Sequence, residues 1–139
     1  MRYRQVFTAA TALLFLTMGA LAGPKLFDDA IKHEIAAKDL KQKLDKGEKV
    51  IIIDARTNLN GQIVKGALHV PSDKLDGWAK DADKNAVIVT YCTCPHDEAA
   101  EDEVETLQGL GFKNAFSLKG GLNAAREAGI PIVPPSAEQ

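Results

Sequence analysis

The sequence predicts an α/β domain in which helices flank a mainly parallel sheet. Two apolar runs, Val50–Asp54 and Ala86–Tyr91, have the continuous β-branched character of strands that are buried on both faces, as in parallel sheets. Segments with helical periodicity, such as Glu98–Leu110, lie between the predicted strands, so helices and strands are expected to alternate along the chain. In such folds the functional crevice lies beyond the carboxyl ends of the strands, so the residues after each run are candidate site residues.

The other elements follow the same alternation. Leucines spaced i, i+4 predict a helix over Ala37–Lys46, and Ser72 can cap a helix that ends at Ala79. The helix at 98–110 has an inner stripe of Ala100, Val104, Leu107 and Leu110. Further strands are predicted at Ala67–Val70 and Ala115–Leu118, and a last helix at Gly121–Ala128. The prolines at 131, 134 and 135 predict a tail without regular structure.

The first 22 residues have the pattern of a cleaved signal peptide. Arg2 and Arg4 precede an uncharged apolar stretch that ends in Ala20-Leu21-Ala22, a small-x-small cleavage pattern. An uncleaved anchor is the alternative, because the uncharged run 5–24 is long enough to span a bilayer. We expect cleavage before Gly23, which would place the mature protein in the periplasm or outside the cell.

The mature chain is expected to form one domain. The full sequence is thus divided into a signal peptide over 1–22, a lead-in over 23–33, the domain over 34–132 and a tail over 133–139. The net charge of -2 falls to -4 once two arginines leave with the signal peptide. No basic excess exists to bind a phosphate backbone, so no nucleic-acid partner is expected, and no membrane contact after cleavage.

The only two cysteines, Cys92 and Cys94, mark the candidate site. They are too few for a disulfide framework, or for a four-cysteine zinc or iron–sulfur site within one chain. Cys92 directly follows the run 86–91, where a strand, a loop and a helix N-terminus bring backbone N–H groups together. The positive end of the helix favours a thiolate, which is the nucleophilic form. An unreactive buried cysteine is the alternative.

Four stretches, in order, resemble the single-domain rhodaneses, a family of thiosulfate:cyanide sulfurtransferases. They are Val50–Arg56 (VIIIDAR), Val64–Pro71 (VKGALHVP), Val87–Cys92 (VIVTYC) and Leu118–Pro131 (LKGGLNAAREAGIP). The resemblance, to an exported bacterial type, implies a rhodanese-like fold with the active-site loop at a strand's carboxyl end. It also implies that Cys92 accepts sulfane sulfur as a persulfide and passes it to a thiophilic acceptor.

The resemblance assigns the active-site loop to six residues. They are Thr93, Cys94, Pro95, His96, Asp97 and Glu98. Their backbone N–H groups would stabilise the thiolate and the persulfide, except at Pro95, which has no N–H to offer. The family's common loop reads C-x-x-G-x-R, whereas Pro95 and Asp97 stand at the third and fifth positions after Cys92. The loop therefore lacks the arginine that would hold an anionic donor.

The loop opens an acidic run of Asp97, Glu98, Glu101, Asp102, Glu103 and Glu105. These acids would repel thiosulfate if they faced the pocket, although acids near a helix N-terminus also stabilise the helix. Asp54 and Arg56 end a strand beside the expected pocket, where they would support it as a structural pair or contact the substrate.

Three interpretations of Cys94 stay open. It could resolve a Cys92 persulfide or sulfenate by forming an intraloop disulfide, since a two-residue step lets the two sulfurs meet. It could join Cys92 and His96 in binding a soft metal. It could also only shape the loop. We expect no metal and no other cofactor.

The expected function is sulfur transfer through a Cys92 persulfide. The alternatives are a non-catalytic rhodanese-like binding module and a thiol–disulfide redox protein that uses Cys92 and Cys94. The expected partners are a small sulfur donor and a thiol or cyanide acceptor, with a partner protein as a further candidate. A monomer is the natural expectation for a small persulfide carrier.

Overall fold

The computed structural model describes residues 33–136, in which strands and helices alternate. The seven strands are β1 (Glu34–Ile35), β2 (Val50–Asp54), β3 (Ile63–Val64), β4 (Leu68–His69), β5 (Val87–Tyr91), β6 (Ala115–Leu118) and β7 (Ile132–Val133). The four helices are α1 (Ala37–Asp45), α2 (Ser72–Asp81), α3 (Glu98–Gly109) and α4 (Gly121–Glu127). The predicted α/β class is therefore confirmed.

Five of the strands form a central sheet in the order β1-β6-β5-β2-β4. All four pairings in this sheet are parallel. The register places Asp54, the last residue of β2, beside Tyr91, the last residue of β5. Because parallel strands all end at one edge, the segments after β2 and β5 leave the sheet side by side, and the candidate site lies there.

Helices cover both faces of the sheet. On one face, Leu40 of α1 and Leu122 of α4 join the cluster that contains Ile52 of β2. On the other face, Leu75 of α2 joins the cluster that contains Ile53. Successive residues of β2 thus point into different apolar layers, which explains why its sequence is apolar without alternation.

The sequence patterns did not predict three short strands. β1, β3 and β7 have two residues each, too few to show a periodicity. The predicted irregular tail is wrong at Ile132–Val133, which pairs antiparallel with β3. Pro131 and Pro134 flank this pair of residues and do not lie within it, so both residues of β7 keep a backbone N–H that can donate a hydrogen bond.

Two helix details also differ from the predictions. Pro71, and not Ser72, is the N-cap of α2, and the Ser72 hydroxyl instead donates a hydrogen bond to Glu103. Leu110, predicted to lie on the inner stripe of α3, is exposed because the helix ends at Gly109. Glu103 is buried on that inner face, between helices α2 and α3.

The predicted signal peptide, the lead-in up to residue 32 and the tail after residue 136 lie outside the described residues. None of the helices within 33–136 combines the length and the apolar content that crossing a membrane requires.

Candidate active site

A cleft of about 390 Å³ opens at the carboxyl ends of β2 and β5. One wall comes from the segment after β2, with Ala55, Arg56 and Asn60 among its residues. The other comes from the residues after β5, where Cys92 begins the loop that leads into α3. Sequence reasoning expected a site at this edge, and the cleft lies there.

Cys92 lies at the base of the cleft and is only 2% exposed. It packs against Ala55 and Ala100, so the side chain is surrounded by small apolar groups. Its Sγ is joined to Cys94 Sγ in a disulfide, and Cys94 is partly buried beside it. The backbone N–H of Cys94 also donates to Cys92 Sγ over 3.4 Å. The structure thus holds the two cysteines in the intraloop disulfide form.

The loop is tied to the turn between β6 and α4. The Gly120 N–H donates to Asp97 Oδ2 over 2.7 Å, and the Leu122 N–H donates to the Cys92 carbonyl over 3.1 Å. Asp97 is the N-cap of α3, with a left-handed φ of 56° that is unusual for a residue other than glycine. Its carboxylate therefore anchors the loop that carries Cys92.

Gly121 allows this close approach of the two segments. A Cβ at Gly121 would lie 2.2 Å from the Cys92 carbonyl oxygen, which is a severe clash with backbone. The φ of Gly121 is also positive, at 53°. Any side chain here would push the Cys92 loop away from the β6–α4 turn, so the glycine pair at 120–121 helps to position the cysteine.

The acidic run after Cys92 does not line the cleft. Asp97 turns toward Gly120, and Glu103 is buried beside Ser72. The other four acids, Glu98, Glu101, Asp102 and Glu105, are exposed. Among the described residues that line the cleft, Arg56 alone is charged. These acids therefore do not lie where they would repel an anionic donor at the cleft.

Arg56 and Asp54 form an ion pair that shapes the cleft wall. Arg56 Nε donates to Asp54 Oδ1 over 2.8 Å, and Arg56 Nη1 donates to the Asn60 carbonyl over 2.8 Å. The hydrogen bond to Asp54 raises the pKa of the arginine, which stays charged. Arg56 thus anchors the segment 56–60 while it also lines the cleft.

Tyr91 completes this network, which sequence reasoning missed. Its hydroxyl donates to Asp54 Oδ2 over 2.7 Å and accepts from the Val64 N–H over 3.1 Å. Burial raises the pKa of the phenol well above its usual range, so it remains a donor. The signal in the sequence was a polar aromatic residue directly before Cys92, at the end of an otherwise apolar strand.

Glu103, which the sequence analysis named only as a member of the acidic run, is a second polar residue whose position the sequence did not predict. It is fully buried, and within the described chain its Oε2 has no hydrogen-bond partner. Its Oε1 accepts a hydrogen bond of 3.3 Å from the Ser72 hydroxyl. Burial raises the pKa of Glu103 to about 8. Its spacing from Ala100 and Leu107 could have placed it on the inner stripe of α3.

The remaining loop residues do not join the cleft lining. Pro95 and His96 are exposed, and Glu98 begins α3. Across residues 33–136, no three His, Cys, Asp or Glu side chains converge to hold a metal ion. The metal interpretation of Cys92, Cys94 and His96 is therefore not supported by the geometry.

Comparisons with known proteins agree with this architecture. The profile of the Rhodanese-like domain family matches residues 36–128. A sulfurtransferase of Allochromatium vinosum is 27% identical over 105 residues, which cover 74% of this chain and 96% of the relative. A thiosulfate sulfurtransferase GlpE of Coxiella burnetii is 30% identical over 81 residues, covering 57% of this chain and 74% of the relative.

Solved structures of other proteins share this fold. The crystal structure of an Anabaena sp. protein superposes with a TM-score of 0.65 at 30% identity, covering 75% of this chain and 95% of that one. A Bacillus halodurans protein superposes with a TM-score of 0.66 at 25% identity, covering 77% and 80%. The exported type that the resemblance included stays a prediction. The family profile spans most of the described residues, and the resemblance to the family is confirmed: the chain belongs to the rhodanese-like domain family.

Proposed function

We propose that this protein is a sulfurtransferase that carries sulfane sulfur as a persulfide on Cys92. The observation that carries the proposal is the position of Cys92 at the base of a cleft, at the carboxyl end of a central strand. Two relatives are named sulfurtransferases, and one of them a thiosulfate sulfurtransferase, which supports the same chemistry.

The cysteine must first be reduced, because its sulfur is bonded to Cys94 in the structure. The freed Cys92 thiolate would then attack the outer sulfur of a donor such as thiosulfate. The new S–S bond forms as the donor's own S–S bond breaks, and sulfite leaves with the bonding electron pair. A thiol or cyanide acceptor would next attack the outer sulfur of the persulfide and regenerate the thiolate.

Two polar groups beside Cys92 favour an anionic intermediate within otherwise apolar surroundings. The Cys94 N–H already donates to Cys92 Sγ, and this donor would stabilise the thiolate. Arg56 is the charged group on the cleft wall, and although Asp54 balances its charge, its guanidinium is the cationic group available there to an anionic donor, since the loop itself lacks an arginine. Asp97 is engaged with Gly120 and does not oppose this charge at the cleft.

The disulfide is the observation that favours a second candidate function, thiol–disulfide exchange through Cys92 and Cys94. The two candidates differ in what the reduced protein does with thiosulfate. A sulfurtransferase cleaves it, whereas a protein limited to thiol–disulfide exchange leaves it intact.

Thiocyanate formation from thiosulfate and cyanide tests the proposal, with protein that has been reduced and freed of reductant. We expect thiocyanate from the wild type in the initial phase, sustained thiocyanate formation by Cys94→Ser, and none by Cys92→Ser. Both substitutions replace sulfur by oxygen in the same loop, so each is the control for the other. Activity in Cys92→Ser, or its loss in Cys94→Ser alone, would refute the role of Cys92.

A further inference from the structure

We propose that Cys94 discharges the Cys92 persulfide, releasing its outer sulfur as hydrosulfide and leaving the Cys92–Cys94 disulfide. The inference rests on the proposed function, because it begins with the persulfide formed there. It gives the bound sulfur a second fate beside transfer to an acceptor, namely reduction to sulfide.

The bond between Cys92 and Cys94 carries this inference. In a persulfide on Cys92, the inner sulfur is Cys92 Sγ itself. Cys94 Sγ is bonded to that atom in the structure, across a Cα–Cα distance of 5.7 Å. Attack on the outer sulfur would only move the persulfide to Cys94, whereas attack on the inner sulfur forms the bond that the structure contains.

The anchors of the loop remain in place while this bond exists. The Cys92 carbonyl still accepts from the Leu122 N–H, and Asp97 still accepts from the Gly120 N–H. The loop therefore accommodates the disulfide within the same framework that positions Cys92 for reaction. Cys94 can reach the inner sulfur without release of the loop from the β6–α4 turn.

Burial favours Cys94 over an external thiol at this atom. Cys92 is only 2% exposed, at the base of the cleft, so a bulky external thiol reaches its Sγ less readily than a small anionic donor does. Cys94 lies in the same apolar cluster, and the reaction is intramolecular, which gives it a high effective concentration. Hydrosulfide is also a weaker base than an alkyl thiolate, which makes it the better leaving group.

The step balances without a further oxidant. The Cys94 thiol supplies the electron pair of the new bond to Cys92 Sγ. The bond between Cys92 Sγ and the outer sulfur breaks, and its pair goes to the outer sulfur, which takes the Cys94 proton and leaves as hydrosulfide. The sulfane sulfur is thereby reduced and the two cysteines are oxidised. Another turnover requires a dithiol reductant, of protein or small-molecule kind, to open the disulfide.

A single-turnover experiment tests this step. Reduced protein, freed of reductant under anaerobic conditions, is mixed with an equimolar amount of thiosulfate without cyanide. Sulfite, sulfide and intact mass are then followed in the wild type, Cys94→Ser and Cys94→Ala. The wild type should release sulfite and sulfide in equal amounts and end about 2 Da lighter, as the disulfide. Both Cys94 variants should release sulfite, gain about 32 Da and release at least about tenfold less sulfide.

The outcomes separate this inference from the function on which it rests. A wild type that releases sulfite but keeps the added 32 Da, with no sulfide, would refute the discharge and leave sulfur transfer standing. Sulfide released by the Cys94 variants at the wild-type rate would refute it as well, and so would a rate constant that rises with protein concentration. If neither the wild type nor the variants released sulfite, the proposed function itself would fail.

Discussion

Replacing Glu103 by Gln should make the stability of the domain less dependent on pH. The carboxyl group is fully buried between α2 and α3, with one hydrogen bond from Ser72 and one oxygen without a partner in the described structure. Burial and the charge of Asp54 raise its pKa from 4.5 to about 8. The folded protein therefore keeps a proton on Glu103 at pH values where the unfolded chain has lost it.

The sign of the effect follows from proton uptake. Between pH 4.5 and about 8 the folded state binds one more proton at Glu103 than the unfolded state, so the free energy of unfolding falls as pH rises. Each pH unit within this interval is worth about 1.4 kcal/mol. The wild type should thus lose about 3 to 4 kcal/mol at this residue between about pH 5 and pH 8, whereas Gln cannot titrate.

Urea denaturation of the wild type and Glu103→Gln across this pH range measures the effect. The difference between their free energies of unfolding removes the contributions of all other titrating groups. We expect Glu103→Gln to gain stability relative to the wild type steadily as pH rises. Glu105→Gln, an exposed change on the same helix, is the matched control and should follow the wild type. Parallel curves for the wild type and Glu103→Gln would show that Glu103 is ionised in the folded protein and would refute the reasoning.

Two further predictions concern the loop and the start of the mature chain. Asp97→Ala removes the acceptor for the Gly120 N–H, so we expect a loss of about 1–2 kcal/mol in the free energy of unfolding and slower sulfite release. Asp97→Asn keeps an oxygen acceptor and should retain most of both properties, and equal behaviour of the two variants would contradict the anchoring role. Amino-terminal sequencing of protein from fractionated cells should find Gly23 as the first residue, outside the cytoplasm. A full-length cytosolic chain that still begins at Met1 would contradict export.

The sequence was sufficient to predict the central strands and the edge of the sheet at which the cleft lies. Runs such as Val50–Asp54 are apolar because they are buried on both faces, and that pattern can be read without a structure. The place of Cys92 followed from the same pattern, since it comes directly after β5. The strand β7 could not be predicted in this way, because it has two residues between prolines and depends on pairing with distant β3.

The roles of individual polar residues depended on contacts between distant segments. Asp97 stands where the resemblance leads one to expect an arginine, and the sequence alone suggested a repulsive charge. Its hydrogen bond to Gly120, 23 positions later, makes it a structural anchor instead. Tyr91 likewise receives its role from Asp54 and Val64, on segments that the fold brings beside it.

Locating the transferred sulfur tests the central claim most directly. The tryptic peptide 85–113 contains both cysteines, so in Cys94→Ser its one remaining thiol is Cys92. After reduction, removal of reductant and addition of thiosulfate, this peptide should carry about 32 Da of added mass, which cyanide should remove as thiocyanate. In Cys92→Ser the peptide should remain unmodified. Sulfite release by Cys94→Ser without added mass on the peptide, or added mass on the peptide of Cys92→Ser, would contradict a persulfide on Cys92.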